Sequence, residues 1–402
     1  MKVLVPRPHG RQHLTRRAWL GGGLALTLAG CNSLGIELPS AGVGTPGASP
    51  PLARGGPTVG ETLGSGPVRV GMILPLTQNG APSPVGVSMR NAAQLAIDDF
   101  AAPYITLMIE DDRSTPDGAA QAAQAELGAG AELILGPVFA NGVRSAAAAT
   151  KATGRPMIAF STDVGVAAPG VYLLSFLIES YVDRIVQYAV SKGKKSFAVL
   201  APQSDYGNIA VARFQQTAGR LGVQVVVVAR YPPGQPGSAA QEVAAVANQI
   251  DVLFIPEQAE GMPAVAAALA SSNVKTQYLG TGVWNEARVL RLPQLQGAWF
   301  SAPDNSGFNA LAQRYRAKFN SDPTRLATLA YDAVTLAAAL ARGAEPDRYS
   351  EKALTSVSGF TGADGVFRFR ADGTNERGLA VMEINGGAAT VISPAPRSFA
   401  AG

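Results

Sequence analysis

The sequence predicts an α/β protein built as two doubly wound, Rossmann-like lobes, and three observations carry that prediction. Short aliphatic or β-branched runs alternate with alanine-rich segments of helical period, the pattern of βαβ units around a parallel sheet. The alternation runs through once and then begins afresh. The chain has 402 residues, more than one hydrophobic core usually organises, since single cores rarely grow past about 250–300 residues.

In order along the chain, VRVGMILPL (68–76) leads into a helix around 85–100 and ITLMIED (105–111) into one around 117–128. ELILGPV (132–138) leads into a helix around 142–153, and PMIAFS (156–161) completes a first sheet. A second series opens at VYLLSF (171–176), with a helix near 179–192, SFAVLAP (196–202) and a helix near 206–221. It continues through VQVVVVARY (223–231), a helix near 238–249, DVLFIPE (251–257) and TQYLGTG (276–282). The remainder holds a helix at about 309–319 and a longer one through 325–343, with Leu326, Leu329, Ala333, Leu336 and Leu340 on one face. A hairpin over 365–384 turns at Ala371-Asp372-Gly373. Ligands of parallel α/β sheets bind beyond the carboxyl ends of the strands, at the point where strand order reverses, so two such lobes place a site in the cleft between them.

The formal charge of +4 is unevenly placed. Residues 1–30 hold Lys2, Arg7, Arg11, Arg16 and Arg17 and no acid; without them 28 basic residues face 29 acidic ones, a net charge of −1. A neutral globular part has no electrostatic hold on nucleic acid. The same 30 residues run from a basic stretch through a short apolar run into small residues, the layout of a secretory signal. Leu28, Ala29, Gly30 and Cys31 resemble the lipobox of bacterial lipoproteins, which makes Cys31, the single cysteine, the expected lipid attachment point. Arg16 and Arg17 resemble a twin-arginine export signal, although a basic pair before an apolar run also occurs in ordinary signals. Residues 31–66, rich in Gly, Pro, Ser and Thr, read as the lipidated cysteine and a flexible tether.

Catalytic chemistry is poorly supplied. The two histidines, His9 and His13, fall in the predicted signal, so Ser-His-Asp and Cys-His sites and the usual zinc sets are not expected. Ser272 and Lys275 have the spacing of an acyltransferase dyad, but the serine follows a helix where that dyad needs a helix start. Glu110, Asp111 and Asp112 could serve acid/base work or cap the lobe through backbone amides. No phosphate loop or dinucleotide fingerprint is present. The reading is non-enzymatic, with no catalytic residue, metal or cofactor.

The runs VGMILPLTQNGAPSPVG, EDDRSTPDGAAQAAQAELGAGAELILGPVFANG and PMIAFSTDVGVAAPGVYLLSF resemble the first lobe of the type I periplasmic solute-binding proteins, the leucine/isoleucine/valine-binding family. SFAVLAPQSDYGNIAVARFQQTAGRLG and IDVLFIPEQAEGMPAVAAAL resemble the second lobe, and the likeness covers about residues 67–395. It implies a chain that crosses three times, with 67–176 plus 303–345 in lobe 1 and 177–302 plus 360–395 in lobe 2. It also implies a small polar, amino-acid-like ligand (an amino acid or peptide) held in the cleft for delivery to an ABC permease. The protein would face the periplasm, anchored by lipid to the inner or the outer membrane.

Mapped by that resemblance, the carboxylate-binding positions are Phe139, Ala140 and Asn141, then Ser161, Thr162 and Asp163, with Ala140 in place of the usual hydroxyl. Tyr206 matches a cleft tyrosine, and Thr77, Gln258 and Trp284 complete the candidate set, with Asn285 beside them. The ammonium-binding glutamate of the family falls near Thr281 or Gly282, leaving Asp163 or Glu257 to replace it. Thr77, Asn141, Ser161 and Ser204 are equally the residue types that cap a following helix, and Tyr206 and Trp284 could simply pack. LPLT after the first strand and the ending DGVFRFRADGTNERGLAVMEI resemble the penicillin-binding protein activator lipoproteins. That second likeness implies an alternative, regulation of peptidoglycan synthesis through contact with a penicillin-binding protein.

Overall fold

The computed structural model describes residues 60–99 and 104–399. In the first lobe the strands run in the order Glu61–Leu63, Ile105–Asp111, Val68–Leu74, Leu133–Leu135, Met157–Ala159, Val171–Leu173. All pair in parallel except the edge strand Glu61–Leu63. In the second lobe the parallel order is Gln224–Tyr231, Ser196–Pro202, Val252–Phe254, Gln277–Gly280, Trp299–Ala302, extended by the antiparallel pair Ala380–Asn385 and Ala388–Ser393. Setting the edge strand aside, the five parallel strands of each lobe follow the order 2-1-3-4-5, so each sheet has its switch point beside its first strand.

Aliphatic runs without alternation become strands covered on both faces. Along Val68–Leu74 only Arg69 is exposed. One face of the first sheet is covered by the helices Pro84–Asp99 and Ala327–Leu340, the other by Pro116–Gly128 and Ala140–Thr153. The expected face of the long helix is the buried one: Leu329, Ala333 and Leu336 lie in the core and Leu326 and Leu340 pack against it. In the second lobe Ile178–Ser191 and Asp205–Leu221 cover one face, Gly237–Ala244 and Met262–Ser271 the other. Helix ends follow local chemistry: Ser204 accepts the Gly207 N–H at 3.2 Å, and Gly222, at φ 67°, closes the same helix in the left-handed conformation.

The chain passes between lobes at Ser175–Leu177, at Pro303–Asp304 and at Gly378–Leu379, giving three crossings. Several boundaries differ from the sequence expectations. VYLLSF does not open the second sheet; Val171–Leu173 pairs with Met157–Ala159 as the last strand of the first. The tether expected to reach residue 66 ends earlier, because Glu61–Leu63 pairs with Leu107–Ile109. The segment 360–395, expected whole in lobe 2, is divided. Phe360–Gly362, Gly365–Phe369 and Asn375–Arg377 form a small sheet whose Phe367 and Phe369 sit in the first lobe's core, and only the stretch after Gly378 joins the second. Aromatic residues at alternate positions of FRF bury on the nearest open face, which here belongs to lobe 1. The turn at Ala371–Gly373 is present, with Arg370 N–H bonded to Thr374 O at 2.8 Å, but the hairpin is short and Ala380–Asn385 leaves it to pair with Trp299–Ala302.

Two buried features fix the sheets against their helices. Glu126 is fully buried and accepts the Met72 N–H at 2.7 Å, and burial pushes its carboxyl well above the ordinary range. In the second lobe the missing side chain of Gly280 makes the slot for the Trp284 indole, and a Cβ there would overlap the ring. Gly280→Ala is therefore expected to lower stability by roughly 1–3 kcal/mol through overpacking, read as a reduced urea midpoint at unchanged m-value.

Candidate functional site

Between the lobes, at the strand tips, lies a cavity of about 680 Å³, within the size range of small-molecule sites. Lobe 2 contributes the loops after its first, third and fourth strands: Tyr206, Gln258, and Gly282 with Asn285. Lobe 1 contributes Thr162, after its fourth strand, and Arg325, ahead of the helix Ala327–Leu340. The first crossing supplies Phe176, and the second supplies Pro303 and leads into Asn305 and Phe308. A larger, more open groove of about 1440 Å³ is walled by helix flanks and the Gly365–Arg377 hairpin instead of strand tips. Among its charged residues Arg213 pairs with Asp183 and Arg368 with Glu376.

Of the predicted residues, Thr162, Tyr206, Gln258 and also Asn285 line the cavity. The Tyr206 hydroxyl and Thr281 Oγ1 share a hydrogen bond of 2.6 Å, and burial raises the phenol's pKa, so it stays protonated. Other candidates are spent on local structure. Thr77 donates to Asp111 Oδ2 at 2.6 Å, Asn141 accepts from Arg144 at 2.8 Å, and Ser161 Oγ accepts the Asp163 N–H at 3.1 Å. Asp163 takes the Gly165 N–H and the Arg144 guanidinium, both at 2.8 Å. Trp284, expected as a cleft platform, is fully buried in the second lobe's core and does not line the cavity. The acidic trio caps turns: Glu110 accepts the Gly60 N–H at 2.6 Å, Asp111 those of Thr77 and Arg113 at 3.1 and 2.8 Å, and Asp112 that of Ser114 at 2.7 Å. Ser272 is the C-cap of Met262–Ser271, not a helix start. Cys31 and the predicted signal lie outside the described residues.

Neither acid offered as a replacement ammonium partner reaches the cavity. Asp163 is held as above, while Glu257 is buried, accepting from the Tyr231 hydroxyl and the Gln258 N–H at 2.7 Å each. Of the two positions matched to the lost glutamate, Thr281 is satisfied by Tyr206 and Gly282 has no side chain.

Sequence reasoning missed the most highly charged part of the site. Arg325 makes two bonds to Asp364, at 2.7 and 2.6 Å, and its guanidinium lies 4.7 Å from the Phe176 ring and 4.8 Å from the Phe308 ring. Behind it, Arg377 is buried, 4.8 Å from the same Phe176 ring, and donates Nε to Ser175 O at 3.1 Å. Asp332 completes the group, accepting the Ala363 N–H at 2.6 Å. The available signal was a single arginine at the head of an otherwise apolar helix.

Among the described residues no group of His, Cys, Asp or Glu is placed to hold a metal ion, and no helix is long and apolar enough to cross a membrane.

Burial pushes the Asp332 carboxyl up to about 7 against the pull of Arg377. A carboxyl whose pKa is raised on folding binds its proton more tightly in the native state, so its contribution favours folding below pH 4 and is lost as pH rises through 7. Asp332→Asn should therefore gain stability relative to the parent between pH 5 and pH 8, by up to ~3 kcal/mol. Urea titrations of both proteins at the two pH values check the sign; a gap that does not change with pH would remove Asp332 from this role.

No curated protein matches the sequence. Solved structures match in fold. A protein assigned as a branched-chain amino acid ABC transporter from Rhodospirillum rubrum has TM-score 0.73 at 20% identity, covering 81% of this chain and 99% of its own. A branched chain amino acid ABC transporter periplasmic ligand-binding protein from Burkholderia xenovorans has TM-score 0.67 at 17% identity, covering 82% and 96%. A solute binding protein of an ABC transporter from R. palustris, in complex with benzoate, has TM-score 0.57 at 19% identity, covering 83% and 97%. The periplasmic binding protein family model matches residues 67–389. With two 2-1-3-4-5 sheets, three crossings and a cavity at the facing strand tips, the chain belongs to the type I periplasmic binding protein family.

Proposed function

We propose that this protein is the solute-capturing component of an ABC-type importer, held at a membrane facing the periplasm by lipid on Cys31, and that it closes on a small polar solute, amino-acid-like in size. The observation that carries the reading is the cavity of about 680 Å³ walled by both lobes at the strand tips. The three crossings act as a hinge, and a ligand touching both walls favours the closed arrangement. Similar structures described as ABC transporter binding proteins support the transport setting.

Calorimetric titration of the mature chain with a library of amino acids, peptides, sugars and small amides should find saturable binding. Tyr206→Ala, which removes a wall residue and the bond to Thr281, should weaken it at least tenfold. Titrations flat throughout, together with capture of a penicillin-binding protein, would replace transport with the regulatory reading. For the anchor, mass spectrometry of membrane-extracted protein should find a first residue Cys31 carrying a diacylglyceryl group, and Cys31→Ser should move the protein to the soluble fraction. An unmodified cysteine at that position removes the anchor.

A further inference from the structure

We infer that the cleft selects an uncharged ligand bearing a ring and several hydrogen-bonding groups, and that it discriminates against free amino acids; this rests on the solute-binding reading above and narrows it. The charge balance of the lining carries the inference. Three charged side chains border the cavity, Arg325, Glu260 and Glu286. Each already has a partner from the protein. Arg325 gives both terminal nitrogens to Asp364, whose side chain has no exposed surface. Glu260 and Glu286 stand on the exposed rim, facing Arg288 at 3.5 and 3.3 Å.

A free amino acid would bring a carboxylate and an ammonium into this setting. The ammonium would meet only Glu260 and Glu286, which stand on the solvent-exposed rim and share Arg288, since Asp163 and Glu257 are turned to Arg144 and Tyr231. The carboxylate would have to share the Arg325 guanidinium with a buried aspartate that already takes a bond from each terminal nitrogen and offsets its charge. Desolvating charges without partners opposes binding, whatever shape complementarity adds.

What the wall does offer is neutral. Gln258, Asn285, Asn305 and Asn309 present amides, each with donors and an acceptor, and Thr162 and Tyr206 add hydroxyls. Only Asn285 and Asn305 among the four amides use a side-chain bond within the protein, to each other at 2.9 Å. Phe176 and Phe308 provide flat apolar surface beside them. Amides next to aromatic faces match a ligand whose ring packs while its substituents hydrogen-bond, a chemistry found in sugars and in aromatic amides alike.

Calorimetry on the mature chain separates these cases with four probes: N-acetyl-L-phenylalaninamide and N-acetylglucosamine, both uncharged, and L-phenylalanine and L-leucine, both zwitterions. At least one uncharged probe is expected to bind at least tenfold more tightly than either zwitterion, and which one it is identifies an aromatic amide or a sugar ring. Gln258→Glu, at an exposed position of the wall, supplies the missing acid and should shift the preference at least fivefold toward L-phenylalanine. Tighter binding of a zwitterion by the parent, or an unchanged preference in Gln258→Glu, overturns the inference while leaving a solute-binding cleft. Absence of binding by all four probes overturns it, and the library titration decides whether the solute-binding reading falls as well.

Discussion

The geometry of the molecule depends on a buried ionic cluster where the crossings converge. Arg377 stands at the third crossing and donates to the carbonyl of Ser175 in the first, and Asn375 donates to the same carbonyl at 2.8 Å. Asp364 and Asp332, both in lobe 1, sit opposite Arg325 and Arg377. Burying several charges is costly unless they compensate one another. Removing Asp364 would leave the Arg325 guanidinium without its direct partner, whereas Asp332, pushed toward its neutral form by burial, is the member whose charge the cluster can lose. The cluster thereby joins stability to hinge geometry. Phe176, contacted by both guanidinium groups, lies between this framework and the cavity, so the cluster also backs one end of the cavity wall.

From that end outward the repeated strand order does the positioning. In each sheet the first strand lies between the second and the third, and loops leaving the carboxyl ends beside that reversal diverge and leave a crevice. Lobe 2 fills its crevice with Tyr206 and Gln258, after its first and third strands. Lobe 1 uses the equivalent loops differently. Its acidic trio, Thr77 and Ser161 are consumed in holding turns, so that lobe reaches the cavity with Thr162, Arg325 and the returning helix that carries Asn305, Phe308 and Asn309. The cavity lining is consequently asymmetric, with strand-tip loops supplying most of one wall and a helix most of the other.

The architecture was legible in the sequence because aliphatic runs and alanine-rich helices are long, regular signals. Their limits were less so. Val171–Leu173 carries the same aliphatic signature as a first strand of a new sheet, and only its pairing with Met157–Ala159 places it last in the old one. FRFR gave no sign of which lobe would bury its aromatics. At the cavity, Thr162, Tyr206 and Gln258 could be named from their places after strands, whereas Thr77, Asn141, Ser161 and Asp163, named on the same ground, do not line it. Phe176, Asn305 and Phe308 could not be named because they meet only when distant segments are brought together. Trp284 misled for a local reason: a strand-end aromatic suggests a cleft, but Gly280 four residues earlier opens a slot that takes the indole inward.

The energetics of closure follow from how little the protein itself spends on it. Within the described cavity wall, the Asn285–Asn305 pair, bonded reciprocally at 2.9 and 3.4 Å, links a lobe 2 loop to the helix that opens the return to lobe 1. A neutral bond of this kind contributes only about 0.5–1.5 kcal/mol net, too little to hold two lobes shut against their freedom to part. A ligand that bonds to Gln258 on one side and Thr162 on the other makes contacts that exist in the closed arrangement alone, and that difference is what shifts a population. Because the charged groups of the wall are already paired, the shift must come from hydrogen bonds and apolar contact. Affinity in such a cleft grows with the number of groups a ligand presents to both walls, and bringing a net charge to it weakens binding.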